Sequence, residues 1–150
     1  MTQGYQLGLL AAFGTGVIFA FVTALEGIMG RDLGALNATV LEHVFSGLVA
    51  ILLLIWILSK GSIDPAQAKP RLPLAALLGL LVFIAVSGIA FAFPKIGFAT
   101  GNFVLVLAQI TTAVIIDAVG LGGFERIPIT ALRVVGLALM GLGVYFVLPK

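Results

Sequence analysis

An all-α integral membrane protein with five transmembrane helices is the fold that this sequence predicts, on three observations. Of the 150 residues, 61% are hydrophobic and only 9% are charged, against about 25% charged in soluble domains. The apolar residues gather in runs about as long as the roughly 20 residues that cross a bilayer as a helix. Charges, prolines and glycine clusters fall mostly between those runs, where loops belong. The chain has no cysteine, which excludes a disulfide frame, a thiolate metal site and a cysteine nucleophile. A net charge of +2 is too small to point to nucleic acid, and the expected surroundings are the lipid bilayer. One histidine with scattered carboxylates makes no catalytic or zinc set. Neither an enzyme nor a bound cofactor or metal is therefore expected.

Span 1 is expected over about residues 7–29. No Lys or Arg precedes it, and it is too long for a signal-peptide core, so it reads as a retained span. Gly4, Gly8, Ala12, Gly16, Ala20 and Ala24 recur every four positions, a small-residue ridge that lets another helix approach closely. Glu26 precedes Arg31 by five residues, about 7–8 Å of helical rise. Two readings stand open. Glu26 snorkels to the interface and pairs with Arg31, or it faces the interior as a proton or cation site, since intramembrane carboxylates are functional candidates.

Span 2, about 38–58, starts on the side where span 1 ends, so Glu42 and His43 lie at roughly the depth of Glu26. His43 is the only histidine. It reads either as an interfacial hydrogen-bonded residue or as a group titrating near neutral pH. Asn37 or Thr39 caps the helix, and Trp56 fits the aromatic belt. The loop SKGSIDPAQAKPRLP, with three prolines and Lys60, Asp64, Lys69 and Arg71, is the clearly aqueous segment. Span 3, about 74–93, is entered after Pro73 and stopped by Pro94. Its Phe83, Phe91 and Phe93 serve packing, or line a pocket for an apolar or cationic ligand.

Span 4, about 96–119, carries Asn102, Gln109 and Asp117 in an otherwise apolar stretch. At about 100° per residue, Asn102 and Gln109 lie within about 20° of each other and Asp117 about 60–80° further round. Such a polar stripe faces other helices or a watery cavity rather than lipid. It either glues helices together by hydrogen bonds or lines a substrate path. The Gly120-Leu121-Gly122-Gly123 run follows no strand, so it is not a nucleotide-binding loop. Span 5, about 129–148, places Arg133 at the membrane side of Asp117, where the two can pair.

Five spans put the termini on opposite sides. With the N-terminus inside, the inner loops carry Lys60, Lys69, Arg71, Arg126 and Arg133, and the outer segments carry Arg31, Lys95 and Lys150. So weak a bias permits insertion both ways. The chain has no internal repeat, whereas many transporters build their site between two inverted repeats. A single half calls for a second copy inserted upside down, or an inverted paralogue.

The stretch FPKIGFATGNFVLVLAQITTAVIIDAVGLGGFERIPITALRVVGLALMGLGVYFVL resembles the last two spans of one half of a drug/metabolite transporter, most closely the YdcZ-like branch. The matching positions are Gly97, Gln109, Asp117, Gly120, Gly123, Arg133, Gly136 and Gly143. Spans 1 to 3 agree in order and spacing. Near the end of span 1 that branch usually has Gln followed by Asn before a Gly-Arg pair. Here Val22 and Glu26 stand before Gly30-Arg31, which suggests a charged rather than a neutral site. The resemblance implies one half of an inverted-repeat fold, hence an antiparallel homodimer or a pair with an inverted paralogue, in a bacterial inner membrane.

The functional expectation is a secondary transporter or exporter of a small organic solute, coupled to protons through an intramembrane carboxylate. Glu26, Glu42, His43, Asn102, Gln109 and Asp117 are the candidate residues for substrate and protons. Glu26 takes a proton or a cationic substrate in turn, and Asn102 and Gln109 orient the solute. The rival readings are a small dual-topology channel and a non-transporting scaffold subunit.

Overall fold

A computed structural model describes residues 3–61, 64–121 and 125–148. All regular structure among them is helical: α1 (Gln3–Leu33), α2 (Ala35–Ser59), a short α3 (Pro65–Ala68) running through a 3-10 turn into α4 (Leu72–Ile96), then α5 (Phe98–Val119) and α6 (Ala131–Val147). Four stretches, Gln6–Leu33, Ala35–Ser59, Lys69–Ile96 and Phe98–Val119, are long and apolar enough to cross a membrane, and Ala131–Val147 is a shorter apolar helix. The five-helix membrane architecture expected from the sequence is thus observed. At 17 residues, α6 rises about 26 Å, slightly less than the roughly 30 Å of a bilayer's hydrocarbon core.

The chain divides into two compact units, Met1–Lys95 and Ile96–Lys150. In the first, α1 and α2 form a hairpin that turns on one residue. Gly34 has φ 83° and ψ 147°, a conformation essentially closed to residues with a Cβ. It therefore reverses the chain without a loop. Its amide donates to the Gly30 carbonyl at 3.1 Å, and its carbonyl accepts from the Ala38 amide at 3.0 Å. This differs from the expectation that Asn37 or Thr39 caps α2. The helix begins earlier, at Ala35, so both residues lie inside it. Asn37 Nδ2 donates to the Leu33 carbonyl and the Thr39 hydroxyl to the Ala35 carbonyl.

From Asp64 onward the aqueous segment is largely helical, with α3 leading through the 3-10 turn into α4. Asp64 Oδ1 accepts the Ala66 amide at 2.9 Å and so caps α3. Pro73 sits at the second position of α4, where its missing N–H costs nothing. Pro94 does not stop the helix, which runs on to Ile96. Within the last turn, proline removes one hydrogen bond, that to the Ala90 carbonyl, rather than breaking a long ladder.

The core of this first unit is small: Thr23 and Glu26 of α1, Ala38 and Thr39 of α2, and Ile89, Ala90 and Phe93 of α4 are its buried residues. They come from the C-terminal part of α1, the first turns of α2 and the last turns of α4. The closest approach is at Gly30. A methyl group there would lie 2.8 Å from the Ala90 Cα and overlap its carbonyl. One at Gly27 would lie 3.3 Å from the Phe93 Cβ. The ridge singled out in the sequence behaves otherwise, since Gly4, Gly8 and Gly16 meet nothing within 4 Å.

In the second unit, α5 opens on Gly97, at φ 84° and ψ 153°, and closes on Gly120 in the left-handed conformation, whose amide donates to the Ile116 carbonyl. The chain then returns to α5, the Ile127 amide donating to the Asp117 carbonyl at 3.0 Å. Thr130 caps α6, its hydroxyl accepting the Arg133 amide at 3.3 Å.

Candidate functional site

Polar groups on membrane-crossing helices are costly unless they are paired or used. The first unit gathers three of them at one depth. Glu26 lies seven residues before the end of α1 and Glu42 seven residues after the start of α2, both about 10 Å from the Gly34 turn. His43 follows Glu42, and Glu26 is within electrostatic range of both.

Glu26 is the most enclosed ionisable group described. It is 3% exposed, and its Oε2 has no hydrogen-bond partner. It does not snorkel to Arg31, whose Nε instead pairs with Asp32 Oδ1 at 2.9 Å on the exposed surface. The helix packing explains the burial. Gly27 and Gly30, on the turn after Glu26, let α4 press onto α1 at Ala90 and Phe93. Sequence reasoning passed over these two glycines because they fall outside the four-residue ridge. The available signal was their placement in the turn that follows the carboxylate.

His43 is held on three sides. Its Nδ1 is 2.9 Å from the Thr39 carbonyl and 2.5 Å from Glu42 Oε2. Its ring meets Phe83 of α4 edge to face, with centroids 5.1 Å apart. Nδ1 thus has two oxygens within reach: the Thr39 carbonyl in hydrogen-bonding position, and Glu42 Oε2, which is buried and has no directed hydrogen bond. Glu42 also lines an open hollow of about 470 Å³ with Met29, Leu41, Phe45, Ser46 and Val49. Of the other phenylalanines, Phe93 is buried, and Phe91 carries the Lys95 ammonium over its ring, a cation–π contact.

The remaining candidates belong to the second unit. Asn102 Nδ2 donates to the Phe98 carbonyl at 3.1 Å, one turn back on its own helix, and the residue lines a small hollow with Phe103 and Val106. Gln109, close to the middle of α5, is exposed and lines a separate hollow with Leu105, Ala108, Thr112, Ala113 and Ile116. Asp117 is occupied by Arg133, Oδ2 accepting from Nη1 at 3.3 Å, the pairing expected from their placement. The matching glycine at 123 lies outside the described residues. No group of three or more metal-ligating side chains occurs among the described residues.

Comparison with curated proteins finds no match, and comparison with solved structures finds none either. A family profile, described as "Putative inner membrane exporter, YdcZ", matches residues 7–146, nearly the whole chain. This is a family of membrane exporters rather than of enzymes, and it sets the chain in a lipid bilayer with a small molecule as its substrate. Apolar helices, a buried carboxylate and a match spanning all five helices converge: the chain is an integral inner-membrane protein that belongs to the YdcZ family of the drug/metabolite transporters.

Proposed function

We propose that the chain exports a small organic solute in exchange for protons, and that Glu26 carries the proton and a cationic substrate in turn. The observation behind this reading is the Glu26 carboxyl group, 3% exposed and with an oxygen that no described residue partners. A carboxylate with an unsatisfied oxygen in a low-dielectric site favours a positive charge or a proton. Alternation between the two is the elementary step of exchange. In the second unit, Asn102 and Gln109 offer hydrogen bonds to the solute and Asp117 serves to anchor α5 to α6 through Arg133; in the first, Glu42 and His43 add polarity beside Glu26.

The five helices act as one transmembrane domain, and two copies inserted in opposite directions make the working unit. Gln109 supports this part of the reading. An amide exposed in mid-membrane is costly against lipid and calls for a neighbouring helix to satisfy it.

Glu26→Gln keeps size and hydrogen bonding but cannot exchange a proton. In proteoliposomes, the variant is expected to lose proton-driven accumulation of organic cations while melting at the same temperature as the parent protein. Undiminished coupled transport by that variant would overturn the mechanism. Flux that does not saturate and ignores the proton gradient would instead identify a channel.

A further inference from the structure

A second carboxylate, outside the enclosed Glu26 position, also has an oxygen without a hydrogen-bond partner among the described residues. Glu42 lines the hollow between α1 and α2, whose walls are otherwise apolar apart from Ser46. The Ser46 hydroxyl is already committed, donating to the His43 carbonyl at 3.3 Å. His43 Nδ1 reaches Glu42 Oε2 and the Thr39 carbonyl together, and Oε2 has no directed hydrogen bond from a described residue. No other basic side chain among the described residues of the first unit serves. Arg31 pairs with Asp32, and Lys95 sits over Phe91. Lys60 is 18 residues further along α2, about 27 Å away, with Lys69 and Arg71 beyond it. At about 470 Å³, the hollow falls within the roughly 300–1,000 Å³ of small-molecule pockets. Phe45, an exposed aromatic ring on its wall, suits both an apolar body and a cation.

We propose that the hollow at Glu42 is a second binding site, distinct from Glu26, for a small organic cation with an apolar body. Its carboxylate supplies the charge complement, and Met29, Leu41, Phe45 and Val49 supply the contact surface. The identity of the occupant as an exported solute rests on the transport reading above; the site itself rests on the α1–α2 geometry.

The probe is radiolabelled benzyltrimethylammonium, whose charge is fixed at every pH. Its neutral isostere, neopentylbenzene, is the control. Binding is measured by equilibrium dialysis on the full chain in phosphatidylcholine nanodiscs, with no gradient. The Glu26→Gln variant is expected to retain binding at this hollow. Adding Glu42→Gln to it is expected to weaken binding by at least about ten-fold, or about 1.4 kcal/mol, and neopentylbenzene is expected not to compete.

Ser46→Lys guards against a folding artefact. It leaves Glu42 in place and provides an ammonium four residues on, in the favourable Glu-to-Lys order. This variant is expected to melt no lower than the parent and to lose the probe. Equal binding by the Glu42→Gln or Ser46→Lys variants would overturn the proposal, as would competition by neopentylbenzene. So would absence of probe binding together with an ethanolamine lipid that co-purifies with the parent and not with Glu42→Gln. Coupled transport that survives Glu26→Gln would remove the exchange mechanism and leave this site standing, so the two failures are distinguishable.

Discussion

At the scale of single residues, the burial of Glu26 depends on side chains that are absent. Gly30 admits the Ala90 backbone and Gly27 admits Phe93. Pro94 also matters here, because it offers no N–H to the Ala90 carbonyl four residues before it, and that carbonyl is the group packed on Gly30. A graded series follows. Gly30→Ala must displace backbone and is expected to cost about 1–3 kcal/mol, the usual range for overpacking. Gly27→Ala meets a side-chain carbon at 3.3 Å and should cost less, and Gly16→Ala, in open space, should cost least. Thermal melting of the three purified variants gives the order, and equal melting temperatures would contradict the α1–α4 contact. The carboxylate itself was legible in the sequence, since a Glu inside an apolar run is conspicuous. Its enclosure was not, because no periodicity marks which glycines meet a neighbouring helix.

Helix ends account for the differences between expected and observed elements. Composition locates apolar runs, but a boundary is set by one or two backbone angles. At Gly34, φ 83° and ψ 147° let α2 start at once, which is why Ala35 rather than residue 38 begins it. Gly34→Ala is expected to lose about 1–3 kcal/mol through strain at a glycine-only conformation, although nothing lies within 4 Å of the site. Differential scanning calorimetry measures this directly, and an unchanged transition would rule out the one-residue reversal. The start of α6 depends on side-chain chemistry instead. Thr130→Ala removes the acceptor of the Arg133 amide and should cost about 1 kcal/mol. Faster amide exchange over residues 131–134, with α5 unaffected, is the expected signature.

On the scale of the whole molecule, the helices present far more apolar surface than they cover. Among the described residues the buried hydrophobic ones are Ala38, Ile89, Ala90 and Phe93, while large aliphatic and aromatic side chains lie exposed along every span. In a bilayer, such surface faces lipid or other helices without penalty. The open ridge of Gly4, Gly8 and Gly16 and the exposed Gln109 remain available to a partner. An antiparallel pair has its two-fold axis in the membrane plane, so only residues at mid-depth can meet their own copies. Gln109→Cys is therefore expected to form an intermolecular disulfide in native membranes under mild oxidation. Asn102→Cys should not, since seven residues from the midpoint in each copy separates the two by about 21 Å in depth. Cross-linking of both would favour a parallel pair, and of neither a different interface.

Sequence by itself determined the membrane setting, the five helices, the family and the identity of the polar residues, because composition and apolar run length act locally along the chain. It also anticipated the Asp117–Arg133 pair, whose members lie at the facing ends of consecutive helices. Tertiary structure alone decided that Glu26 is sealed at a helix crossing rather than paired with Arg31. It also decided that His43 is shared between Thr39, Glu42 and Phe83, and that Glu42 opens onto a hollow. Those outcomes depend on how α1, α2 and α4 approach one another in space. The approach is closest where Gly27 and Gly30 of α1 meet Phe93 and Ala90 of α4, segments far apart in sequence that come together only when the chain folds.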